Sequence, residues 1–389
     1  MVCQACISIP SPLLIASGRL QKQYTNRQLT TDQNNNTAFP NVIGQEGVKQ
    51  RLLEIVSSGR LPHAIMLCGP QGAGKLAIAV DFARLLMCQN PDEKGHPCGE
   101  CRNCKMARKL EHPDLHFTYP IVRGNRIKEA KDAISDEYVR EWRAMLLQSP
   151  YVDIYDWLDC MKAENSQAQY YVAEADNIQH KLVLKSSQGG RKVIVLWLPE
   201  KMNAETANKL LKLLEEPPEG TVFILVSEEP ELVLGTIQSR VQRINVPALS
   251  RQQQLSAKPP KDEGLFLDIY ISLMRLAYQK KVKDLREWAE QCAKMGREPQ
   301  KQFLQFCQRQ LRDNFAYNFM EPSLNDQTEA EAAFSKNFAR FINEYNVVPM
   351  MAELSRAESD IAQNVNARMV FFDLALKTIT LLITPQNAK

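Results

Sequence analysis

No apolar run in these 389 residues reaches the roughly 18–20 that a membrane-spanning helix needs, which excludes a helical membrane protein. The N-terminus lacks the order of a secretory signal. Its first basic residue, Arg19, follows the apolar Pro12–Ala16 stretch instead of preceding it. There is little net charge: 48 Lys and Arg against 45 Asp and Glu leave +3. A near-neutral total neither identifies nor excludes a nucleic-acid partner, because a local basic face can coexist with it. Cysteine is not scarce, at ten residues, but four of them cluster at metal-ligand spacing. That favours a reducing cytoplasm over a disulfide framework.

What is present, 44% hydrophobic and 24% charged residues, is the composition of a globular protein. The length is too great for one ordinary core and implies two or three domains. Residues 1–38 are rich in Gln, Asn and Thr and carry no sustained periodicity, the pattern of a disordered leader. The lone Cys3/Cys6 pair within them is a chance spacing. Order begins at Phe39. Gln45–Ser57 has helical apolar spacing, Ala64–Leu67 is a short buried strand, and Lys75–Met87 reads as a helix. Residues 125–180 read as mainly helical. Lys192–Leu198 and Thr221–Val226 are further strands, separated by a helix over Ala204–Glu215 that Pro217-Pro218 stops. Strands alternating with helices predict a parallel sheet over residues 39–247. A polar linker follows at 248–264. From Leu265 to Lys389 only amphipathic helices are expected, over Leu265–Lys280, Lys283–Lys294, Gln300–Phe319 and Ala367–Leu382.

Gly69-Pro70-Gln71-Gly72-Ala73-Gly74-Lys75 fits the G-x-x-x-x-G-K phosphate loop and lies between a strand and a helix. In such a loop the backbone N–H groups around Gly69, Gly72 and Gly74 wrap a phosphate, and Lys75 reaches the β- and γ-phosphates. The next residue should carry a hydroxyl for Mg²⁺; here it is Leu76. The acidic pair that should end the strand at 192–198 is replaced by Trp197 and Leu198, and Glu200 stands beyond Pro199. Two independent magnesium-handling positions are thus apolar. The domain is not expected to hydrolyse ATP at its own site, and ATP binding is left open.

Cys88, Cys98, Cys101 and Cys104 are spaced C-x9-C-x2-C-x2-C, with Gly99 allowing a tight turn. Four thiolates close a tetrahedral zinc site and leave no open position, so the zinc would be structural. His96 is surplus to it.

The order of these features resembles the clamp-loader subunits of bacterial DNA polymerase III, of the delta-prime and gamma/tau kind. The resemblance runs from Phe39 to Gln242. It rests on Ile43-Gly44-Gln45, on Gly59-Arg60-Leu61-Pro62-His63-Ala64 leading into the phosphate loop, on the cysteine module and on His112-Pro113-Asp114-Leu115. Ala207–Pro218 (ANKLLKLLEEPP) and Ile237-Gln238-Ser239-Arg240 complete it. The resemblance implies an α/β AAA+ P-loop domain with the zinc module inserted, followed by an all-α helical collar that joins subunits. It implies gamma/tau-type ATPase subunits, a clamp-opening delta subunit, the sliding clamp and primer–template DNA as partners. It also implies that Arg240, with Ser239, acts in trans on ATP held by a neighbouring subunit, although Val241 replaces the cysteine of the family's Ser-Arg-Cys motif. Leu76, Trp197 and Leu198 place the chain on the ATPase-deficient, delta-prime side. The alternatives are an active gamma/tau-like ATPase and a non-hydrolysing scaffold paralogue. The family's helical lid is expected to be shortened or missing at 248–264.

Overall fold

The computed structural model describes residues 38–383 apart from 94, 125–126, 128, 164–165, 184–185, 187–189, 259–262 and 320–326. All but the last residue of the expected leader, and the Pro259-Pro260 of the expected linker, lie outside the described residues.

The chain opens with α1 (Glu46–Ser57), β1 (Ala64–Cys68), α2 (Lys75–Met87) and α3 (Arg102–Arg108). Then come β2 (Leu115–Thr118), α4 (Val139–Gln148), α5 (Ile154–Met161), α6 (Val172–Val183) and β3 (Lys192–Trp197). The sheet is completed through α7 (Ala204–Glu215), β4 (Thr221–Ser227), α8 (Gly235–Gln238) and β5 (Gln242–Asn245). All strands are parallel, in the order β2-β3-β4-β1-β5. The three central strands are buried along their whole length because helices cover both faces, which is why they read as continuous apolar runs.

Strand alternation divides their side chains between two cores. Ile65, Leu67, Val193, Val195 and Trp197 face α1, α2 and α4, whereas Met66, Ile194, Leu196, Phe223 and Leu225 face α6, α7 and α8. The first core contains an aromatic node. Tyr119 stacks on Trp142 at 4.0 Å between centroids, and Trp142 meets both Trp157 and Trp197 at 5.1 Å. Trp157 donates its Nε1–H to the Pro120 carbonyl at 2.7 Å, so its one polar group is satisfied.

Two short strands were not legible beforehand. β2 and β5 are four residues each and sit at the sheet edges, where Gln242, Arg243 and Asn245 can reach water. The segment expected as a polar linker holds a helix, α9 (Arg251–Ala257), started by a capping box in which Ser250 and Gln253 bond each other's backbone. Beyond it α10 (Glu263–Tyr278), α11 (Val282–Lys294), α12 (Arg297–Tyr317), α13 (Glu329–Phe338), α14 (Val347–Ala362) and α15 (Ala367–Ile383) enclose a separate core around Phe303, Leu311, Trp288 and Phe371. There are no strands among the described residues of that region, and none of its helices is long and apolar enough to cross a membrane.

Candidate functional site

In a parallel sheet the loops after the strands gather at one end, and there the phosphate loop lies. Gly69 follows β1 so closely against β5's exit that a Cβ would stand 2.1 Å from the Val246 carbonyl oxygen. Gly72 and Gly74 take φ of 76° and 80°, and Gly74 opens α2. Lys75 is buried, and its ammonium donates to the Pro70 carbonyl at 2.6 Å. Burial holds its pKa down, opposed by the carboxylates of Glu228 and Glu200.

The two positions that ought to handle magnesium belong to the core. Leu76 is buried in the sheet–helix packing, Trp197 sits in the aromatic node, and Leu198 is buried with a left-handed φ of 57°. Glu200 is not spare either. In the short 3₁₀ turn Pro199–Lys201, its Oε1 accepts the backbone N–H groups of Glu228 at 2.8 Å and Glu229 at 3.2 Å, tying β3's exit to β4's.

Sequence reasoning missed what surrounds the loop. A cavity of about 530 Å³ is lined by Gly72, Lys75, Tyr151, Glu228, Lys258 and Arg309, among others, and so draws walls from the sheet end, α9 and α12. Tyr151 lies against the loop: a Cβ on Gly74 would meet its ring at 2.9 Å. Its hydroxyl accepts the Ile43 N–H at 2.7 Å. Lys258, just after α9, pairs with both Asp153 and Asp156 at the start of α5. Glu228 is half-buried, and its carboxyl is pushed up to about 7 by burial, opposed by Lys75 and reinforced by Glu200.

Arg240 is at the other end of the sheet. It precedes β5, whose Gln242 is level with Ile65 near the start of β1, so the length of β1 separates it from the phosphate loop that follows Cys68. One guanidinium nitrogen donates to the Thr236 carbonyl at 3.0 Å and to Ser239 Oγ at 3.3 Å. Another pairs with Glu215, the last residue of α7, at 2.7 Å. The Arg240 side chain remains 37% exposed. Ser239 Oγ itself donates to the Thr236 carbonyl at 3.0 Å. The structure therefore brings Ser239 and Arg240 together and keeps them apart from Lys75.

The four cysteines do converge. Their sulfurs all lie within 4.8 Å of one another, with Cys88 to Cys98 at 3.6 Å and Cys98 to Cys104 at 3.9 Å. Sulfurs in a tetrahedral site with bonds of about 2.3 Å stand about 3.8 Å apart, so the group can hold a metal ion of that size. Backbone N–H groups point at the sulfurs: Cys98 at Cys88, Cys101 at Cys98 and Cys104 at Cys101, at 3.3–3.4 Å. Burial alone would raise the Cys101 thiol, but the N–H groups of Gln89 and Cys104 together with the Cys104 and Cys98 thiols bring it down to about 7. Burial pushes Cys104 up. His96 pairs with Asp92 at 3.1 Å and stands outside the cluster.

The family model described as "DNA polymerase III, delta subunit" matches residues 44–250, which carry the sheet, the phosphate loop, the cysteine cluster and Arg240. DNA polymerase III subunit delta' of Pseudomonas aeruginosa is 32% identical over 203 residues, 52% of this chain and 48% of that protein. Subunit delta' of Bacillus subtilis is 28% identical over 233 residues, 60% of this chain and 54% of that protein. Subunit tau/gamma of Haemophilus influenzae is 29% identical over 262 residues, 66% of this chain and 31% of that protein. The chain thus spans about half the length, or less, of the curated relatives it matches. With more than half of its residues matched, and with the matched segment folded around a phosphate loop, the chain belongs to the DNA polymerase III delta-subunit family.

Proposed function

We propose that this chain is a delta-prime-like subunit of a bacterial DNA polymerase III clamp loader, inactive as an ATPase at its own phosphate loop and acting in trans through Arg240. Its neighbours would be gamma/tau-type ATPases and a clamp-opening delta subunit, and the assembly would load a sliding clamp onto primer–template DNA in the cytoplasm. The helical region 265–389 would serve as the collar.

The observation that carries this reading is the separation of the two functional groups. The loop that could hold a polyphosphate has lost its magnesium ligands, whereas the arginine lies at the opposite strand end, exposed and out of reach of that loop. A guanidinium is planar, permanently charged and able to meet two phosphate oxygens at once, which suits stabilisation of charge developing on a neighbour's γ-phosphate. Ser239 is a positioning residue beside it. The cysteine cluster would take Zn²⁺ as a structural ion, since four thiolates leave no position open for chemistry.

The test is ATP turnover by a reconstituted loader carrying either the wild-type chain or Arg240→Ala, with the isolated chain as control. The reading expects the isolated chain to be inactive and the variant complex to assemble but lose most DNA-stimulated turnover. If the isolated chain hydrolyses ATP and Lys75→Ala abolishes this, the protein is a motor and the proposal is wrong.

A further inference from the structure

Leu76 and Trp197 at the magnesium-handling positions would account for a lack of hydrolysis but not for a lack of binding. Phosphate loops hold anions through backbone N–H groups and a lysine, neither of which needs a metal, and here both are present. Gly72 and Gly74 hold the left-handed φ, and Gly69 the close approach to Val246, that bar a side chain from the loop's backbone. Whether an anion can settle there turns on the charges that face it.

Glu228 leaves β4 directly after Ser227, and β4 lies between β1 and β3 in the sheet. It therefore emerges beside the phosphate loop and lines the same cavity as Gly72 and Lys75. Its position is fixed rather than incidental, because its own N–H is held at 2.8 Å by Glu200 Oε1. That contact brings a second carboxylate alongside, whose other oxygen, Oε2, is buried with no hydrogen-bond partner. Lys75, the cation meant for phosphate, is turned onto the Pro70 carbonyl at 2.6 Å. Arg251, Lys258 and Arg309 also line the cavity, but Lys258 is paired with Asp153 and Asp156 and Arg309 with Glu331, so a polyphosphate settling on the loop would meet Lys75 with Glu228 beside it and Glu200 behind. Within a partly desolvated pocket, like charges a few ångströms apart repel by an amount that outweighs several neutral hydrogen bonds.

We propose that Glu228, braced by Glu200, is the specificity determinant that keeps polyphosphate out of this phosphate loop: a carboxylate of the chain itself occupies the electrostatic place of the nucleotide. The inference goes beyond the proposed role in trans and does not depend on it, since it concerns binding by the isolated chain.

The experiment is calorimetric titration of the full-length chain with ATP, without and with Mg²⁺, at pH 8, using wild type, Glu228→Gln and Glu228→Ala. Circular dichroism and thermal melting check that each variant is folded. Wild type should show no saturable binding up to millimolar ATP. Both variants should bind at least about tenfold more tightly than that limit, with little gain from Mg²⁺ because Leu76 still stands at the metal position. Lys75→Ala introduced on top of Glu228→Gln should abolish the binding gained, which assigns it to this loop. Two results overturn the proposal. One is wild-type binding equal to that of the variants. The other is folded variants that still bind nothing; if Tyr151→Ala then binds, the exclusion is steric and belongs to the tyrosine against Gly74. Neither outcome bears on Arg240, which the turnover assay of the assembled loader tests separately.

Discussion

The two ends of one parallel sheet have been treated differently. At the end where strands exit, the phosphate loop keeps its backbone shape, but Lys75 is buried, bonded to Pro70 and faced by carboxylates. At the end where strands enter, Arg240 is exposed and rests on the Thr236 carbonyl, Ser239 and Glu215. One cation is bonded within the interior, and the other stands at the surface. The two lie a strand's length apart, so burial of the lysine at one end places no constraint on exposure of the arginine at the other.

Substitutions at each end test that contrast. The largest expected effect is at the open end. Arg240→Ala should lower DNA-stimulated ATP turnover of the assembled loader on the order of 10³-fold, the lower end of what such arginines contribute in trans. An unchanged rate in a complex that still assembles would make Arg240 an ordinary surface residue. Next comes the cysteine cluster. Cys104→Ser, or exhaustive chelation of the wild-type chain, should cost several kcal/mol of stability around α2 and α3. Hydrogen exchange at Lys75–Arg108 reads this directly; unaltered protection there would mean the thiols hold no structural ion.

A smaller effect is expected in the pH dependence of the closed end. Glu228 stands at about 7 in the folded chain against an ordinary 4.5. The folded state therefore holds that proton more tightly than the unfolded state, and stability falls as pH rises from about 4.5 to 7, remaining lower above it. Glu228→Gln should remove this part of the slope and be more stable than wild type at pH 8 by on the order of 1 kcal/mol, with no gain at pH 4.5. Urea unfolding at both pH values measures it, and an equal gain at the two would point to packing instead. Smallest is Glu215→Gln. The Arg240–Glu215 pair is exposed on both sides, so its loss should change stability by less than about 1 kcal/mol. If it prepositions the guanidinium, turnover of the loader should fall a few-fold while the Arg240→Ala defect stays far larger.

Much of the fold was written in local pattern. The bounds of α2 and α7 follow from Gly74 and Asn203 before them, and from Cys88 and Pro217 after them. The three central strands are legible because burial on both faces demands unbroken apolar runs. β2 and β5 were illegible for the converse reason: four-residue edge strands such as Gln242–Asn245 need only one apolar face and a neighbour to pair with. The cysteine cluster was legible from spacing alone, whereas α3, which grows out of it with Cys101 as its cap, was not. At the phosphate loop the metal-handling groups replaced by Leu76 and Trp197 are legible, but not the side chains that pack against the loop. Glu228 is one residue past a strand and unremarkable in a string. Tyr151 reaches the loop from 77 positions beyond Gly74, and Lys258 reaches Asp153 across 105 residues. Such contacts belong to the tertiary fold and have no local signature.

The cysteine cluster has a consequence for motion. Cys88 directly follows Met87, the last residue of α2, and Asn103 beside the cluster donates to the Met87 carbonyl at 3.1 Å. The first residue of the same helix is Lys75. A thirteen-residue helix, about 20 Å long, is thus pinned by the phosphate loop at one tip and by the thiol knuckle at the other. A strut fastened at both tips is expected to resist sliding and fraying, so a shift of the loop relative to the sheet should be felt at the knuckle.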